Sequence, residues 1–191
     1  LTKQRQESAK QIVKDITSSL CQLEIPENKF EIRIDRTAEL TAQGADKVTF
    51  LFSANKNMMP RPIAEVASGG EIARVMLALK ALMGTRTSMP TIIFDEIDTG
   101  VSGRVSDAMA RMMKQMSSRQ GQQVIAITHL PQIAAQGEHH LFVYKENTDE
   151  QTLSHIRTLT EKERITEVAH MLSGSDITQA AIENAKQLLG K

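Results

Sequence analysis

The sequence comprises 191 residues, 40% of them apolar and 24% charged, which is enough to build one soluble domain around a single core. Its 23 acidic and 23 basic residues cancel, so net charge does not favour nucleic-acid binding, although a local basic face is still compatible with it. Aromatic residues amount to 3% and tryptophan is absent, which argues against a surface that stacks single-stranded bases. No apolar run has the length of a membrane span, and the first residues lack the pattern of a signal peptide. Cys21 is the single cysteine, so an internal disulfide is excluded and a reducing cytosol is expected.

Residues 1–24 predict one amphipathic helix that ends before Pro26 and is roughly 36 Å long. This helix is either an ordinary surface helix or the base of a coiled-coil arm, and two heptads do not decide between them. The chain also opens without methionine inside this pattern, so we expect a piece of a longer protein. The apolar positions follow each other at helical spacing: Ile12, Val13, Ile16, Leu20 and Leu23.

Alternating apolar residues at 30–34 and 48–52 predict an antiparallel strand pair. Helices then alternate with continuous apolar strands, which predicts an α/β fold: a mostly parallel sheet with flanking helices beside that antiparallel pair. The predicted elements are helix 70–83, strand Thr91–Phe94, helix 102–118, strand Val124–Thr128, strands Leu141–Tyr144 and Leu153–Leu159, and helices 161–172 and 177–189.

The segment Ala67-Ser68-Gly69-Gly70-Glu71 precedes an apolar helix. Ser68 with Glu71 three residues later is typical of a capping box, which would be a purely structural role. Two glycines in the first turn weaken that interpretation, because each can cost a helix up to about 1 kcal/mol relative to alanine. Missing side chains let another molecule approach the backbone, and a helix N-terminus favours an anion such as a phosphate. Helix capping and phosphate binding therefore both remain open for this segment.

A second segment, Thr91-Ile-Ile-Phe-Asp95-Glu96, is a predicted buried strand that ends in two carboxylates. Ligands of open α/β sheets bind at the carboxyl ends of strands, so this position favours a functional site over a plain acidic turn. Successive side chains of a strand point in different directions, so Asp95 and Glu96 can have different roles. One carboxylate is suited to Mg²⁺ and the other to activating a water molecule.

His129 follows the next apolar strand, and Pro131 suits the first turn of a helix after it. A histidine in this place is commonly structural, but a neighbouring strand would bring it near a phosphate held at Asp95 and Glu96. His139 and His140 do not have the spacing of a zinc site. The 191 residues contain no G-x-x-x-x-G-K-[ST] phosphate-binding loop. A methionine stripe at helical spacing indicates core or partner contact and not a cofactor site: Met109, Met112, Met113 and Met116.

Three stretches, taken in order, resemble the second half of an ABC-type ATPase head. Their amino-acid sequences resemble most closely those of the SMC-like ATPases of bacterial DNA repair. The stretches are Ser68–Lys80, Ile93–Gly103 and Thr128–Ala135. The resemblance implies the C-terminal lobe of an ABC/SMC-type P-loop head, with residues 25–191 in the head and residues 1–24 as the end of a coiled-coil helix. It departs slightly from transporter signatures, with Ala67 where leucine is common and Glu71 where glutamine is common.

The resemblance implies a role for each matching residue, with ATP and Mg²⁺ as cofactors. Ser68, Gly69 and Gly70, with Glu71, would be the signature motif that binds the ATP held by an opposing head. Asp95 would be the Walker B residue on Mg²⁺, and Glu96 would activate water. Asp98 would belong to the D-loop at the dimer interface, and His129 would be the switch histidine. The Walker A lysine would lie on an N-terminal head half, so the partners implied are that half, a second copy of the head and DNA, without a membrane.

Two other functions remain open beside a cytoplasmic, nucleoid-associated repair ATPase. An ATPase subunit of a membrane transporter would not carry a coiled-coil arm at residues 1–24. A non-catalytic scaffold head would have little use for Glu96 and His129. Two long heptad stretches in the upstream sequence would favour the repair ATPase, and their absence would favour the transporter subunit. The sequence also predicts that this chain by itself is inactive.

Overall fold

The computed structural model describes residues 1–66, 68–87, 89–147, 151–174 and 176–191, apart from the side chains of residues 119 and 120. Ala67, the first residue of the predicted glycine motif, lies outside these ranges. The chain forms two compact units: Leu1–Ile92 with Ile97–Val124, and Ile93–Glu96 with Ile125–Lys191. Helices combined with sheets confirm the predicted α/β class.

The first unit contains the N-terminal helix, a three-stranded antiparallel sheet and two further helices. Its strands pair antiparallel in the order β1-β2-β3, with Phe30 opposite Phe52 and Ile34 opposite Val48, as the alternating pattern predicts. The methionine stripe is buried, which confirms its interpretation as core. In chain order the elements are α1 (Thr2–Gln22), β1 (Lys29–Thr41), β2 (Gly44–Ser53), β3 (Arg61–Pro62), a 3₁₀ turn (Ile63–Glu65), α2 (Gly69–Arg86) and α3 (Arg104–Gln120).

Helix α1 has the predicted apolar stripe, and only the C-terminal part of that stripe is fully buried. Ile16, Leu20 and Leu23 are 0% exposed, whereas residues 1–11 are exposed or half-buried. Near its start, Arg5 forms an ion pair of 2.9 Å with the Asp46 carboxylate of β2. The C-terminal part of α1 is therefore fixed in the core of this unit.

Strands β4 (Thr91–Asp95) and β5 (Gln123–Ile127) form a two-stranded sheet. The Gln123 N–H donates to Pro90 O at 2.8 Å, and the Glu96 N–H donates to Ile127 O at 3.1 Å. The order of these two bonds is that of parallel strands, in which both chains run in one direction. Both strands therefore end at the same edge of the sheet.

The second unit contains the C-terminal elements. β6 (Leu141–Asn147) and β7 (Thr152–Thr158) form an antiparallel hairpin. The helices are α4 (Pro131–Gln136), α5 (Glu161–Ser173) and α6 (Gln179–Leu188). Pro131 begins α4, as predicted. Small residues from α4, α5 and α6 form a core cluster, which lets the helices pack closely: Ala135, Val168, Ala169, Ala181 and Ala185.

Helix α5 begins with a complete capping box. The Thr160 hydroxyl accepts from the Glu163 N–H, and the Glu163 carboxylate accepts from the Thr160 N–H. Hydrogen bonds from the Thr160 backbone and hydroxyl, with Arg157 adding to them, lower the pKa of Glu163 to about 2. The carboxylate that caps this helix is consequently ionised at neutral pH.

Candidate functional site

The first turn of α2 presents the predicted signature segment. Ser68 is the N-cap in an extended conformation, and its hydroxyl accepts from the Glu71 N–H at 3.4 Å. That distance lies beyond the usual range of an N–H···O bond, so the cap is weak. Ser68 and Gly69 are exposed. The Ser68 hydroxyl and the backbone of Gly69 are thus accessible to an anion from outside the chain.

The two glycines of this turn differ in their surroundings. Gly70 is buried, and a Cβ on it would lie 2.8 Å from Gly100 O, so this residue must be glycine for packing reasons. A Cβ on Gly69 would meet nothing within 4 Å, and its φ is not in the left-handed region. Packing within the described residues therefore explains Gly70 and does not explain Gly69.

Asp98 lies in the turn that packs against Gly70, and it is 0% exposed. Its carbonyl accepts from the Val101 N–H at 3.2 Å, while its neighbours Thr99 and Gly100 are exposed. The predicted D-loop segment is therefore placed beside the first turn of α2. Asp98 is buried inside this turn, and the exposed residues 99–100 form its outer surface.

Asp95 and Glu96 stand at the end of β4, and both are exposed. Glu96 has φ +46°, a left-handed conformation that is uncommon for a residue other than glycine. Such a conformation costs on the order of 1 kcal/mol or more, and it is concentrated at functional sites. A glutamate in this strained position is consistent with selection for its side chain.

His129 lies at the end of β5, on the edge where Asp95 and Glu96 stand. It follows Ile127, whose carbonyl accepts the Glu96 N–H, and it is exposed. The Thr128 hydroxyl next to it accepts from the Leu130 N–H at 2.9 Å, which shapes the turn into α4. Strand pairing thus brings the three predicted catalytic and metal-binding side chains to one edge of the β4–β5 pair.

The predicted site residues fall into one set per unit. The first unit contains the candidates for phosphate contact and for the D-loop, and the second contains the candidates for metal binding and water activation. The first set is Ser68, Gly69, Gly70, Glu71 and Asp98, and the second is Asp95, Glu96 and His129.

Sequence reasoning missed Arg74, which contacts the first turn of α2 directly; this turn, Ser68–Glu71, is called the signature turn below. Its Nε donates to Gly70 O at 3.0 Å, and its guanidinium also reaches the end of α1. Burial lowers the pKa of Arg74, and the carboxylates of Glu71 and Glu24 oppose that effect. The signal in the sequence was a single arginine within the apolar run Ile72–Leu79, an unfavourable place for a charge that has no acceptors.

The side chains present can supply only part of the coordination sphere of a Mg²⁺ ion. Within the ranges that the structure describes, no group of three or more His, Cys, Asp or Glu side chains is arranged to hold a metal. Mg²⁺ is usually held by one or two carboxylates together with water and substrate phosphates, so the exposed carboxylate of Asp95 suits it. No helix in the described residues is long and apolar enough to cross a membrane.

Comparisons with known proteins match these observations. The chain is 37% identical over 190 residues to the DNA repair protein RecN of Haemophilus influenzae, covering 99% of this chain and 34% of that protein. It is 39% identical over 185 residues to RecN of Deinococcus radiodurans, covering 97% of this chain and 32% of that protein. The chain thus spans about a third of the length of these relatives. No protein-family model matches it.

Solved structures give the same result for the fold. An Smc head domain with a coiled coil and joint from Pyrococcus yayanosii superposes with a TM-score of 0.66 at 18% identity, covering 89% of this chain and 30% of that one. A structure from work on ATP-driven dimerization and DNA-stimulated activation of SMC ATPases has a TM-score of 0.61 at 16% identity, covering 89% and 96%. The chain is therefore RecN-like in sequence, corresponding to the C-terminal part of those proteins, and has the fold of an SMC ATPase head.

Proposed function

We propose that this chain is the C-terminal half of an ATPase head that acts in the repair and recombination of DNA double-strand breaks. Its RecN relatives are named as DNA repair proteins, and a structural neighbour belongs to ATPases described as dimerising with ATP and responding to DNA. The head becomes active when an N-terminal half supplies the Walker A loop and a second head closes over the ATP. We place this activity in the bacterial cytoplasm, at the nucleoid.

The observation that carries the proposal is the open surface at Gly69. A glycine in the first turn of a helix costs up to about 1 kcal/mol relative to alanine, and among the residues that the structure describes none lies within 4 Å of a Cβ placed on Gly69. Close approach of a second molecule to the backbone explains the glycine at this position, which packing within this chain does not explain. The exposed Ser68 hydroxyl and the N-terminal end of α2 then face the phosphates of an ATP held by that molecule.

The second set of residues supplies the chemistry in this proposal. Asp95 would hold Mg²⁺, which would neutralise charge on the phosphates when bound. Glu96 accepts a proton from the attacking water, and its exposed position leaves room for that water. His129 donates a hydrogen bond to the terminal phosphate from the same sheet edge.

The β4–β5 pair supports an N-terminal half as the partner. Ile93, Ile125 and Ile127 are 63%, 37% and 51% exposed, and they belong to alternating positions that share one face. Three exposed isoleucines on one face of a strand pair indicate a surface that another chain segment covers. We infer that a segment of the N-terminal head half packs on this face and that this half brings the Walker A loop beside Asp95.

The transporter alternative remains weaker because the named relatives are repair proteins and α1 is a 21-residue helix ahead of the head. The scaffold alternative is opposed by Glu96, whose left-handed backbone would be relieved by glycine if its carboxylate had no role. The deciding test joins this chain to its N-terminal half and measures ATP hydrolysis with and without DNA. ATPase activity that DNA does not change would contradict the repair function and would indicate an ATPase that does not act on DNA.

The 191 residues alone are expected neither to bind ATP tightly nor to hydrolyse it. The backbone amides and lysine of a Walker A loop form most of the phosphate cradle of such enzymes, and that loop does not occur in the sequence. Calorimetry with MgATP tests this, with circular dichroism to establish that the chain is folded and the joined protein as the positive control. Micromolar affinity of the folded chain would contradict the expectation.

Ser68→Ala in the joined protein separates a helix cap from a phosphate ligand. Loss of an N-cap typically costs about 1 kcal/mol, and the 3.4 Å capping bond here points to the lower end of that range. We expect turnover to fall about tenfold or more while the free energy of unfolding changes little, because the hydroxyl mainly serves the nucleotide. Denaturant unfolding and steady-state turnover on the same samples provide the comparison. A loss of stability with normal turnover would leave Ser68 as a cap only.

A further inference from the structure

Arg74 joins the first turn of α2 to the end of α1 through main-chain carbonyls. Its Nε donates to Gly70 O at 3.0 Å, within its own helix. Its Nη1 donates to Leu23 O at 3.2 Å and to Glu24 O at 3.3 Å. One rigid guanidinium therefore contacts two segments about 50 residues apart in the chain.

The end of α1 is arranged so that these carbonyls face the arginine. Glu24 has φ +63°, and the Ile25 N–H donates back to Leu20 O at 3.0 Å, which closes the helix. Carbonyl groups at a helix C-terminus carry partial negative charge and attract a cation. Leu23 and Ile25 are 0% and 4% exposed, so this end of α1 is held in the core.

Gly70 is confined from its other side as well. The position of a Cβ there lies 2.8 Å from Gly100 O and 3.3 Å from a methyl carbon of Val101. The first turn of α2 thus lies between the turn at residues 98–101 and the hydrogen bonds that Arg74 makes with the end of α1. Arg74 therefore links the end of α1 to the first turn of α2.

We propose that Arg74 is a positioning residue that fixes Ser68 and Gly69 according to the position of α1, so that α1 controls whether the signature turn can engage the nucleotide of a second head. This inference rests on the proposed function of that turn. The Nε and Nη1 donors of Arg74 are directed at main-chain carbonyls of Gly70, Leu23 and Glu24. Arg74 acts through the position of the backbone that would contact the nucleotide.

The test compares Arg74→Gln with Arg86→Gln in the full-length protein. Arg86 is the matched control because it also joins α2 to α1, through a 3.7 Å ion pair with Asp15, but at the far end of α2. We expect Arg74→Gln to lower kcat about tenfold or more, since small misplacement of a contacting group has effects of this size, and to leave KM for ATP within about twofold. Arg86→Gln should leave both parameters near wild type. Arg74→Lys should recover only part of kcat, because an ammonium group lacks the fork that spans the two segments.

Hydrogen exchange without nucleotide gives a second readout that does not depend on ATPase activity. Amides of residues 20–26 should exchange faster in Arg74→Gln than in Arg86→Gln, because the end of α1 loses its hydrogen bonds to Arg74. Equal kcat in both variants, or equal exchange of this segment, would overturn the positioning role. If wild-type protein hydrolyses no ATP but the exchange difference appears, the proposed function fails and the Arg74 link stands. Loss of stability with normal kcat in Arg74→Gln would reduce Arg74 to a structural contact.

Discussion

Gly69→Arg in the full-length protein is expected to abolish ATP-dependent association of heads and to lower turnover about 100-fold or more. Gly69 is exposed and a Cβ there meets no described residue within 4 Å, so we expect the arginine to fit this chain and to obstruct only a second molecule. Binding of ATP to the mutant's own Walker A loop should survive, because the proposed function assigns that loop to the N-terminal half. Nucleotide affinity, dimerisation by solution scattering and turnover, all measured on one folded sample, test this expectation.

Two alanine variants serve as controls for this experiment. Gly69→Ala should keep or raise the free energy of unfolding, by up to about 1 kcal/mol, yet still weaken engagement. Gly70→Ala should instead destabilise the fold by about 1–3 kcal/mol, because its Cβ would lie 2.8 Å from Gly100 O. Unchanged turnover in Gly69→Arg would reduce the motif to a helix start. Loss of ATP binding together with turnover would contradict a contact made to the other head's nucleotide.

Glu96→Gln in the same protein should bind ATP normally and lose turnover about 100-fold or more, the range that a general base contributes. The amide keeps the size of the side chain at the end of β4 and the N–H bond to Ile127 O, but it does not accept the proton from water. Heads that close and do not hydrolyse should accumulate as an ATP-dependent dimer. Scattering with ATP, and single-turnover hydrolysis on the same protein, measure both effects.

Glu138→Gln is the matched control for the charge change. Glu138 is an exposed glutamate in the same unit as Glu96, and it follows the end of α4 (Pro131–Gln136). This variant should retain wild-type turnover and form no trapped dimer. If Glu96→Gln retains turnover within a few-fold of wild type, Glu96 does not activate the water. If it loses ATP binding as well, its role is in holding the nucleotide.

Several features of the fold were predictable from the sequence because their physical causes are local. The strand pair shows in the alternation around Phe30 and Phe52, and Pro131 marks the start of a helix. The apolar stripe of α1 follows directly from helical spacing. The site candidates were also predictable at the level of segments, since a strand that ends in Asp95 and Glu96 needs only the pattern of a few neighbouring residues.

Other properties of the site depend on residues that are distant in sequence, and no local pattern reveals them. The two glycines of the signature turn are equivalent in the sequence, and only the packing of Gly70 on Gly100 separates them. The left-handed backbone of Glu96 is likewise invisible in its residue type, which ordinarily avoids that region.

The amino-acid sequence by itself thus determined the helices, the strands and the segments that carry the candidate chemistry, because propensity and periodicity act over a few residues. The tertiary structure alone decided which glycine serves packing, that Asp98 is buried, and that Arg74 joins the signature turn to α1. These facts depend on contacts such as the one between Arg74 and Leu23, 51 residues apart in the chain. Such contacts form only when separate elements pack together, so they leave no periodic trace in the order of residues.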